Sequence, residues 1–177
     1  MRGVADETAA RLRVVVRAAK QTDAKSLGAF FLRAWREAGP GALGFTGATD
    51  EAIKEISSEK FLTGRLASPN VRMLIAVTDG AVVGFASLRA EGPQSAELSG
   101  IVVLQTLSGL GIGTRLIRKS LALAGRLGCR TVSVRTEALN RRAIGFYKKN
   151  GFTESGKATE KVGRARVELQ VLQKIVR

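Results

Sequence analysis

The spacing of apolar residues changes in the middle of the chain, and this change predicts a strand, a loop and a helix. Residues 98–104 are apolar and centre on the β-branched Ile101, Val102 and Val103, which is typical of a buried strand. A glycine-rich segment follows at 108–113, and from Thr114 the apolar residues recur at helical spacing. One face of that predicted helix carries Leu116, Ile117, Leu121, Ala124 and Leu127, while the opposite face carries Arg115, Arg118, Lys119 and Arg126.

The same patterns predict the other elements of a mixed α/β fold. Six more strands are expected at 12–18, 71–78, 81–90, 130–135, 152–161 and 165–175. Three more helices are expected at 25–37, 51–66 and 141–149, the second with a break near Ser57-Ser58. The order is therefore β-α-α-β-β-β-α-β-α-β-β, with a mixed central sheet of about seven strands and four helices.

Length and composition predict one domain, from residue 12 to 177, after a flexible N-terminus at 1–11. The glycine-rich residues 42–48 are expected to form a loop. No apolar run approaches the roughly 18 residues of a membrane helix. The single cysteine, Cys129, excludes an internal disulfide, so a cytoplasmic location is expected.

The segment from Ser108 to Thr114 is a candidate phosphate site. Glycines let the backbone approach a ligand closely, and the first turn of the following helix presents unpaired N–H groups. The alternative is a tight turn that only packs the strand against the helix, because a short glycine motif is by itself a weak signal.

The absence of histidine limits the acid–base, nucleophilic and metal-binding chemistry open to this chain. The chain has no imidazole base, no nucleophile paired with histidine, and no histidine or all-cysteine metal site. No metal is therefore expected, and proton transfer must fall to Glu, Asp, Tyr, Lys or water.

The charge of the chain is strongly and unevenly positive. The net charge is +14, and residues 98–153 hold ten Lys and Arg against one acid, Glu137. A polyphosphate ligand, a nucleic acid or an acidic protein surface would each suit this excess, and a solvated basic face without a partner is the alternative.

Two motifs resemble the GCN5-related N-acetyltransferase (GNAT) superfamily. Residues 108–113 resemble its Q/R-x-x-G-x-G/A acetyl-CoA signature, and residues 140–152, NRRAIGFYKKNGF, are similar to its more specific N-x-x-A-x-x-F-Y-x-x-x-G-F segment. The order of predicted elements agrees over residues 12–175. The resemblance implies a GNAT acyltransferase fold and an N-acetyltransferase that uses acetyl-CoA. Two positions depart from the family pattern, because Ser108 replaces an Arg or Gln and Gln105 replaces a common Pro.

The resemblance also implies how the donor is held. The diphosphate of acetyl-CoA is expected on the loop, and its pantetheine arm is expected to add to the central strand beside a bulge at Gly100. A backbone N–H of Val102 or Val103 is then the expected oxyanion donor. The implied donor-binding residues are Ile101, Val102, Val103, Ser108, Gly109, Leu110, Gly111, Ile112, Gly113, Thr114 and Asn140.

The resemblance places the general acid at Tyr147, the only tyrosine, which otherwise packs the last helix on the sheet. Glu97 lies where several family members carry a carboxylate base; a surface glutamate is the alternative, with Glu137, Ser99 and water as further candidates. A covalent intermediate at Cys129 is not favoured, because its position between a helix end and a strand predicts a buried side chain.

Three classes of function remain open at this point. The first is acetyl transfer to a primary amine of a small molecule or a protein, with a homodimer expected by analogy. The second is a nucleotide-binding oxidoreductase, and the third is a non-catalytic module that binds nucleic acid or an acidic partner through its basic face. The acceptor pocket is expected to be built by residues 39–69 and the last hairpin. A helix face could make it acidic through Asp50, Glu51, Glu55 and Glu59, although a solvated helix face is the favoured interpretation of these acids.

Overall fold

The fold is a single mixed sheet with helices on both faces, described in the computed structural model for residues 13–39, 49–162 and 165–176. The strands are β1 (Val15–Ala18), β2 (Val71–Thr78), β3 (Ala81–Gly92), β4 (Ser95–Val103), β5 (Thr131–Glu137), β6 (Thr153–Val162) and β7 (Ala165–Ile175). Their order across the sheet is β1-β2-β3-β4-β5-β7-β6. All neighbours are antiparallel except β4 and β5, which run parallel. The predicted flexible segment 1–11 and loop 42–48 lie outside the described residues.

The described ranges contain five α-helices, one more than predicted. They are α1 (Ala24–Ala38), α2 (Asp50–Ile56), α3 (Glu59–Ala67), α4 (Ile112–Arg126) and α5 (Arg141–Lys149). The helix predicted at 51–66 is divided at Ser57 and Ser58, because the Ser58 hydroxyl accepts from the Phe61 N–H and so caps a new helix. No helix in the described ranges has both the length and the apolarity needed to cross a membrane.

Consecutive residues of β3 show which helices cover each face of the sheet. The Phe85 ring contacts the Phe31 ring of α1 at 5.0 Å between centroids. Gly84 points the other way, where an added Cβ would lie 3.0 Å from Leu116 of α4. Since side chains alternate along a strand, α1 and α4 lie on opposite faces. A side chain larger than hydrogen at Gly84 would push α4 away from the sheet.

The functional cleft arises where β4 and β5 separate. The two strands pair only from Ser95 to Glu97 on β4, against 131–133 on β5. On its other side β4 pairs with β3 along its length, but with a shift of register that leaves Ser99 as an extra residue before Gly100. The bulge predicted at Gly100 is therefore present. It changes the direction of β4 and ends its pairing with β5.

Candidate active site

The cleft between β4 and β5 has a volume of about 1040 Å³ and continues to the glycine loop and to α5. Its walls bring together residues far apart in sequence: the β4 edge, the loop from Ser108 to Thr114, and the start of α5. Every donor-binding residue predicted from the sequence lines it except Leu110, whose side chain packs against the core instead. Cys129 does not line it.

The edge of β4 that faces the cleft carries backbone groups at every second residue. The Leu104 N–H donates to the Val83 carbonyl oxygen of β3 at 3.1 Å. Backbone groups alternate in direction along a strand, so the N–H and C=O of Val102 also face β3. Those of Ile101 and Val103 then face the cleft, where β5 no longer pairs with β4. This edge can accept one more extended chain.

The glycine loop is shaped for close approach by a ligand. Gly109 and Gly111 have φ angles of 86° and 75°, in the left-handed region that glycine adopts without strain. An added Cβ at either position would meet no protein atom within 4 Å, so both face open space. Helix α4 begins at Ile112, two residues before the predicted Thr114, and this brings Gly113 into its first turn. The free N–H groups of that turn suit an anion.

Asn140 does two things at the start of α5. Its side-chain oxygen accepts from the Ala143 N–H at 3.0 Å, as an N-cap does. The same residue lines the cleft. The cap therefore also fixes where α5 meets the site.

Tyr147 lies on α5 with its side chain largely buried, yet it reaches the wall of the cleft. Its ring packs against Phe146 and Phe152 at 5.5 and 5.8 Å between centroids. Burial raises the pKa of the Tyr147 phenol. The hydroxyl therefore stays protonated at neutral pH, so it can donate a hydrogen bond or a proton.

Glu97 is held by two arginines. Its side chain is 6% exposed and accepts from Arg135 Nε at 2.6 Å and from Nε and Nη2 of Arg89, the Nε at 3.2 Å. Burial alone would raise the pKa of this carboxyl, but hydrogen bonds and charge from Arg135 and Arg89 outweigh it and leave the pKa below its ordinary value. Both oxygens are occupied, and the group is a weak proton acceptor.

The cleft also carries a group of charges that local sequence patterns did not bring together. Arg89, Arg135 and Glu160 line it together with Glu97 and Glu137. Cross-strand pairing explains the first two, because Arg89 lies opposite Glu97 and Arg135 lies two residues beyond Ser133, the β5 partner of Glu97. Only the register of the sheet reveals this grouping.

The acidic helix face considered for the acceptor pocket is exposed and does not line the cleft, in agreement with the favoured expectation of a solvated face. Asp50, Glu51, Glu55 and Glu59 are absent from the lining of the cleft. Asp50 instead accepts a hydrogen bond from Trp35 Nε1 at 2.9 Å. Ser99, a reserve candidate for the base, lies 3.2 Å from the Ser87 hydroxyl. Within the described parts of the chain, no group of three or more Cys, Asp or Glu is arranged to hold a metal ion.

The ion pairs of Glu97 predict a pH-dependent stability. Because the pKa of Glu97 is lowered in the folded state, its contribution is present above the ordinary value of 4.5 and is lost as pH falls through the folded-state pKa. E97Q is expected to lower the free energy of unfolding by about 2 kcal/mol at neutral pH, below the usual cost of breaking a buried pair because both arginines keep contact with water. Denaturant unfolding near neutral pH and near pH 3 measures this difference.

Glu154 provides the matched control for E97Q. It pairs with Lys148 at 2.6 Å, but both side chains are about half exposed. E154Q is therefore expected to change the free energy of unfolding by less than about 1 kcal/mol. A stability gap between E97Q and the wild type that stays the same from neutral to acid pH would contradict the assignment of that gap to the ionised carboxylate.

Comparison with known proteins agrees with this geometry. The family model for the acetyltransferase (GNAT) family matches residues 32–152. The chain is 32% identical over 142 residues to an uncharacterised N-acetyltransferase of Mycobacterium tuberculosis, which covers 80% of this chain and 90% of that one.

Two solved structures share the fold. The PaiA N-acetyltransferase from Thermoplasma acidophilum, in complex with coenzyme A, has a TM-score of 0.72 at 19% identity, covering 92% of this chain and 98% of that one. An acetyltransferase of the GNAT family from Streptococcus pneumoniae has a TM-score of 0.69 at 23% identity, covering 93% and 99%.

The parallel strands that separate at a bulge and the glycine loop agree with the fold and donor site that the resemblance implies for an acyl-CoA-dependent acyltransferase. The chain belongs to the acetyltransferase (GNAT) family and is an N-acetyltransferase with acetyl-CoA as its donor. The oxidoreductase alternative is wrong, and the comparisons give no support to a non-catalytic module.

Proposed function

We propose that the protein transfers an acetyl group from acetyl-CoA to a primary amine by direct attack within a ternary complex. One observation carries the proposal: the open β4 edge, the glycine loop and Tyr147 line a single cleft. A donor bound along the first two would present its thioester near the third. Bound acetyl-CoA supplies an activated acetyl group, and the remaining roles belong to residues of the chain.

The proposed donor site uses backbone groups of the glycine loop and of β4. The N–H groups from Gly109 to Thr114 bind the diphosphate, where the two left-handed glycines leave space for it. Ile101 and Val103 offer their cleft-facing N–H and C=O groups to the amides of the pantetheine arm. Because Val102 faces β3, we assign the oxyanion contact to a cleft-facing N–H of β4, with Val103 favoured over Val102.

Tyr147 is the proposed general acid. A phenol that burial keeps protonated can donate to the sulfur as the carbon–sulfur bond breaks. The raised pKa makes complete proton transfer to a thiolate unfavourable, so a strong hydrogen bond to the departing sulfur is the larger part of the role.

The incoming amine must lose a proton, and we propose that water accepts it. Glu97 was the first candidate from the sequence, but its oxygens are bonded to Arg89 and Arg135 and its pKa is lowered. Glu137 and Glu160 also line the cleft and add carboxylates to the wall beside which this water would lie. The proposal predicts that E97Q lowers the free energy of unfolding but leaves the pH dependence of kcat close to that of the wild type.

A pair of glycine variants tests the donor site. Gly111 and Gly80 have nearly equal φ angles, 75° and 77°, and at both an added Cβ would meet no protein atom within 4 Å. Substitution to alanine therefore imposes the same backbone strain of about 1 kcal/mol. Only G111A takes space from the ligand, so calorimetry is expected to show about 10-fold weaker acetyl-CoA binding for G111A and none of this loss for G80A.

A panel of amines tests the reaction itself. Thiol release from acetyl-CoA is followed with amino acids, polyamines, aminoglycosides and peptides that have free N-termini or lysines. Acetyl-CoA-dependent acetylation of at least one amine is the expected result. Tight acetyl-CoA binding with no acceptor in any class would contradict amine transfer, and no binding by the wild type would contradict the donor site.

A further inference from the structure

One contact joins the glycine loop to α5 beside the cleft. Arg142 Nη2 donates to the Ser108 hydroxyl oxygen at 2.8 Å, although the two residues are 34 positions apart in sequence. Ser108 immediately precedes Gly109, and Arg142 is the second residue of α5. Both residues line the cleft. The guanidinium is therefore held beside the backbone groups that suit a phosphate.

The position of Ser108 makes this contact informative. The signature that residues 108–113 resemble has an Arg or Gln at this place, whereas serine is too short to reach far into the cleft and carries no charge. Arg142 brings a cation to the same place from a different element. The contact thus fills a position that the loop sequence itself leaves without a long polar side chain.

The hydrogen bonds of this pair leave its remaining donors available to an anion. Arg142 uses one N–H on Ser108, which leaves four others on a planar guanidinium that matches phosphate oxygens. Ser108 accepts that bond, so its own O–H remains available as a donor. Among the described residues no carboxylate lies within salt-bridge distance of Arg142. Arg141 and Lys149, also on α5, add positive charge to the same wall.

We propose that Arg142, held by Ser108, binds the diphosphate group of the acyl-CoA donor and replaces the side-chain contact that the loop lacks. The proposal rests on acetyl-CoA binding in the cleft. It assigns the diphosphate rather than the 3′-phosphate, because the guanidinium is fixed next to Gly109, where the N–H groups of the loop begin. The diphosphate would then be the anionic ligand that the basic residues of α5 on the cleft wall attract.

Calorimetry with three ligands separates the possibilities. CoA carries the diphosphate and the 3′-phosphate, dephospho-CoA keeps only the diphosphate, and pantetheine has neither. R142Q is expected to weaken CoA and dephospho-CoA equally, by about 10-fold, as the loss of a charge-assisted contact does. Pantetheine binding is expected to stay unchanged. R142K is expected to lie between R142Q and the wild type, because lysine keeps the charge but loses the planar pair of donors.

K148Q is the matched control for removal of one positive charge from α5. Lys148 is on the same helix but does not line the cleft, and it pairs with Glu154. Its substitution is expected to change CoA affinity by less than about 2-fold at physiological salt, where the field of a distant charge is screened.

Two results would overturn the proposal. A loss with CoA but not with dephospho-CoA would assign Arg142 to the 3′-phosphate instead. Equal affinities for R142Q and the wild type would show that Arg142 does not bind the donor. In both cases the wild type still binds CoA and the proposed function stands, whereas failure of the wild type to bind CoA would reject the proposed function itself.

Discussion

Y147F is expected to lower kcat by about a hundredfold or more, which is within the usual contribution of a positioned acid. The substitution removes only the hydroxyl, and the ring keeps its packing against Phe146 and Phe152. Acetyl-CoA affinity and the free energy of unfolding are therefore expected to change little. Steady-state kinetics with an acceptor from the amine panel, together with calorimetry, measure these quantities.

The pH dependence gives the same test a second readout. Burial raises the pKa of Tyr147, so the phenol is protonated throughout the range from neutral to about pH 9. The ratio of kcat for the wild type and Y147F is expected to stay constant over that range. A ratio that changes there would show that Tyr147 titrates and that its role differs from that of a permanent donor.

Ser120 supplies a control for the loss of a buried hydroxyl. It lies on α4, is 1% exposed, has no hydrogen-bond partner among the described residues and does not line the cleft. S120A is expected to leave kcat unchanged, so that a loss confined to Y147F is due to the position of its hydroxyl. A kcat for Y147F within a few-fold of the wild type would reject the assignment of the general acid.

G28A is expected to produce the largest loss of stability, about 3 kcal/mol in the free energy of unfolding. Gly28 is buried on α1 where that helix meets the break between α2 and α3. A Cβ there would lie 2.2 Å from the Ser57 carbonyl oxygen, a backbone atom that cannot move aside alone. The three helices would have to separate, and Ala34 and Ala38 of α1, which line the cleft, would move with them.

Substitution of Gly64, in a neighbouring helix, is expected to have the opposite effect on the free energy of unfolding. It lies within α3, and a Cβ added there would meet nothing within 4 Å. G64A is therefore expected to stabilise the protein by up to about 1 kcal/mol, because alanine is the better helix former. Urea unfolding of both variants measures the contrast. Equal effects of the two substitutions would show that the close contact of Gly28 with Ser57 does not limit the packing of α1.

Most of the elements could be predicted from local pattern because neighbouring residues determine them. The helix at Arg141–Lys149 and the hairpin at Asp79-Gly80 match the structure. Amphipathic spacing and turn chemistry are properties of adjacent residues, so they can be read without the fold. The start of α4 was misplaced by two residues, because Ile112 and Gly113 gave no helical signal of their own.

The part of the cleft that we propose binds the donor was also largely predictable, because it is built from backbone and glycine. The loop residues and Asn140 line the cleft as their motifs implied. Leu110 is the exception, since its apolar side chain turns to the core. The presence of Ser108 in place of an Arg or Gln could be recognised in the sequence. Its contact with Arg142 could not, because Arg142 lies on α5, 34 positions away.

The sequence by itself determined the family, the order of elements and the stretch that we propose binds the donor, since each depends on residues close together in the chain. Only the tertiary structure decided the hydrogen bonding and the lowered pKa of Glu97. Its carboxylate meets arginines from β3 and β5, 8 and 38 positions away, and only the register of the sheet brings them together. The same register separates β4 from β5 after Glu97 and leaves one edge of β4 open. Because long-range pairing sets both the charge environment and the open edges of strands, the grouping of Glu97 with Arg89 and Arg135 could not be predicted from local patterns.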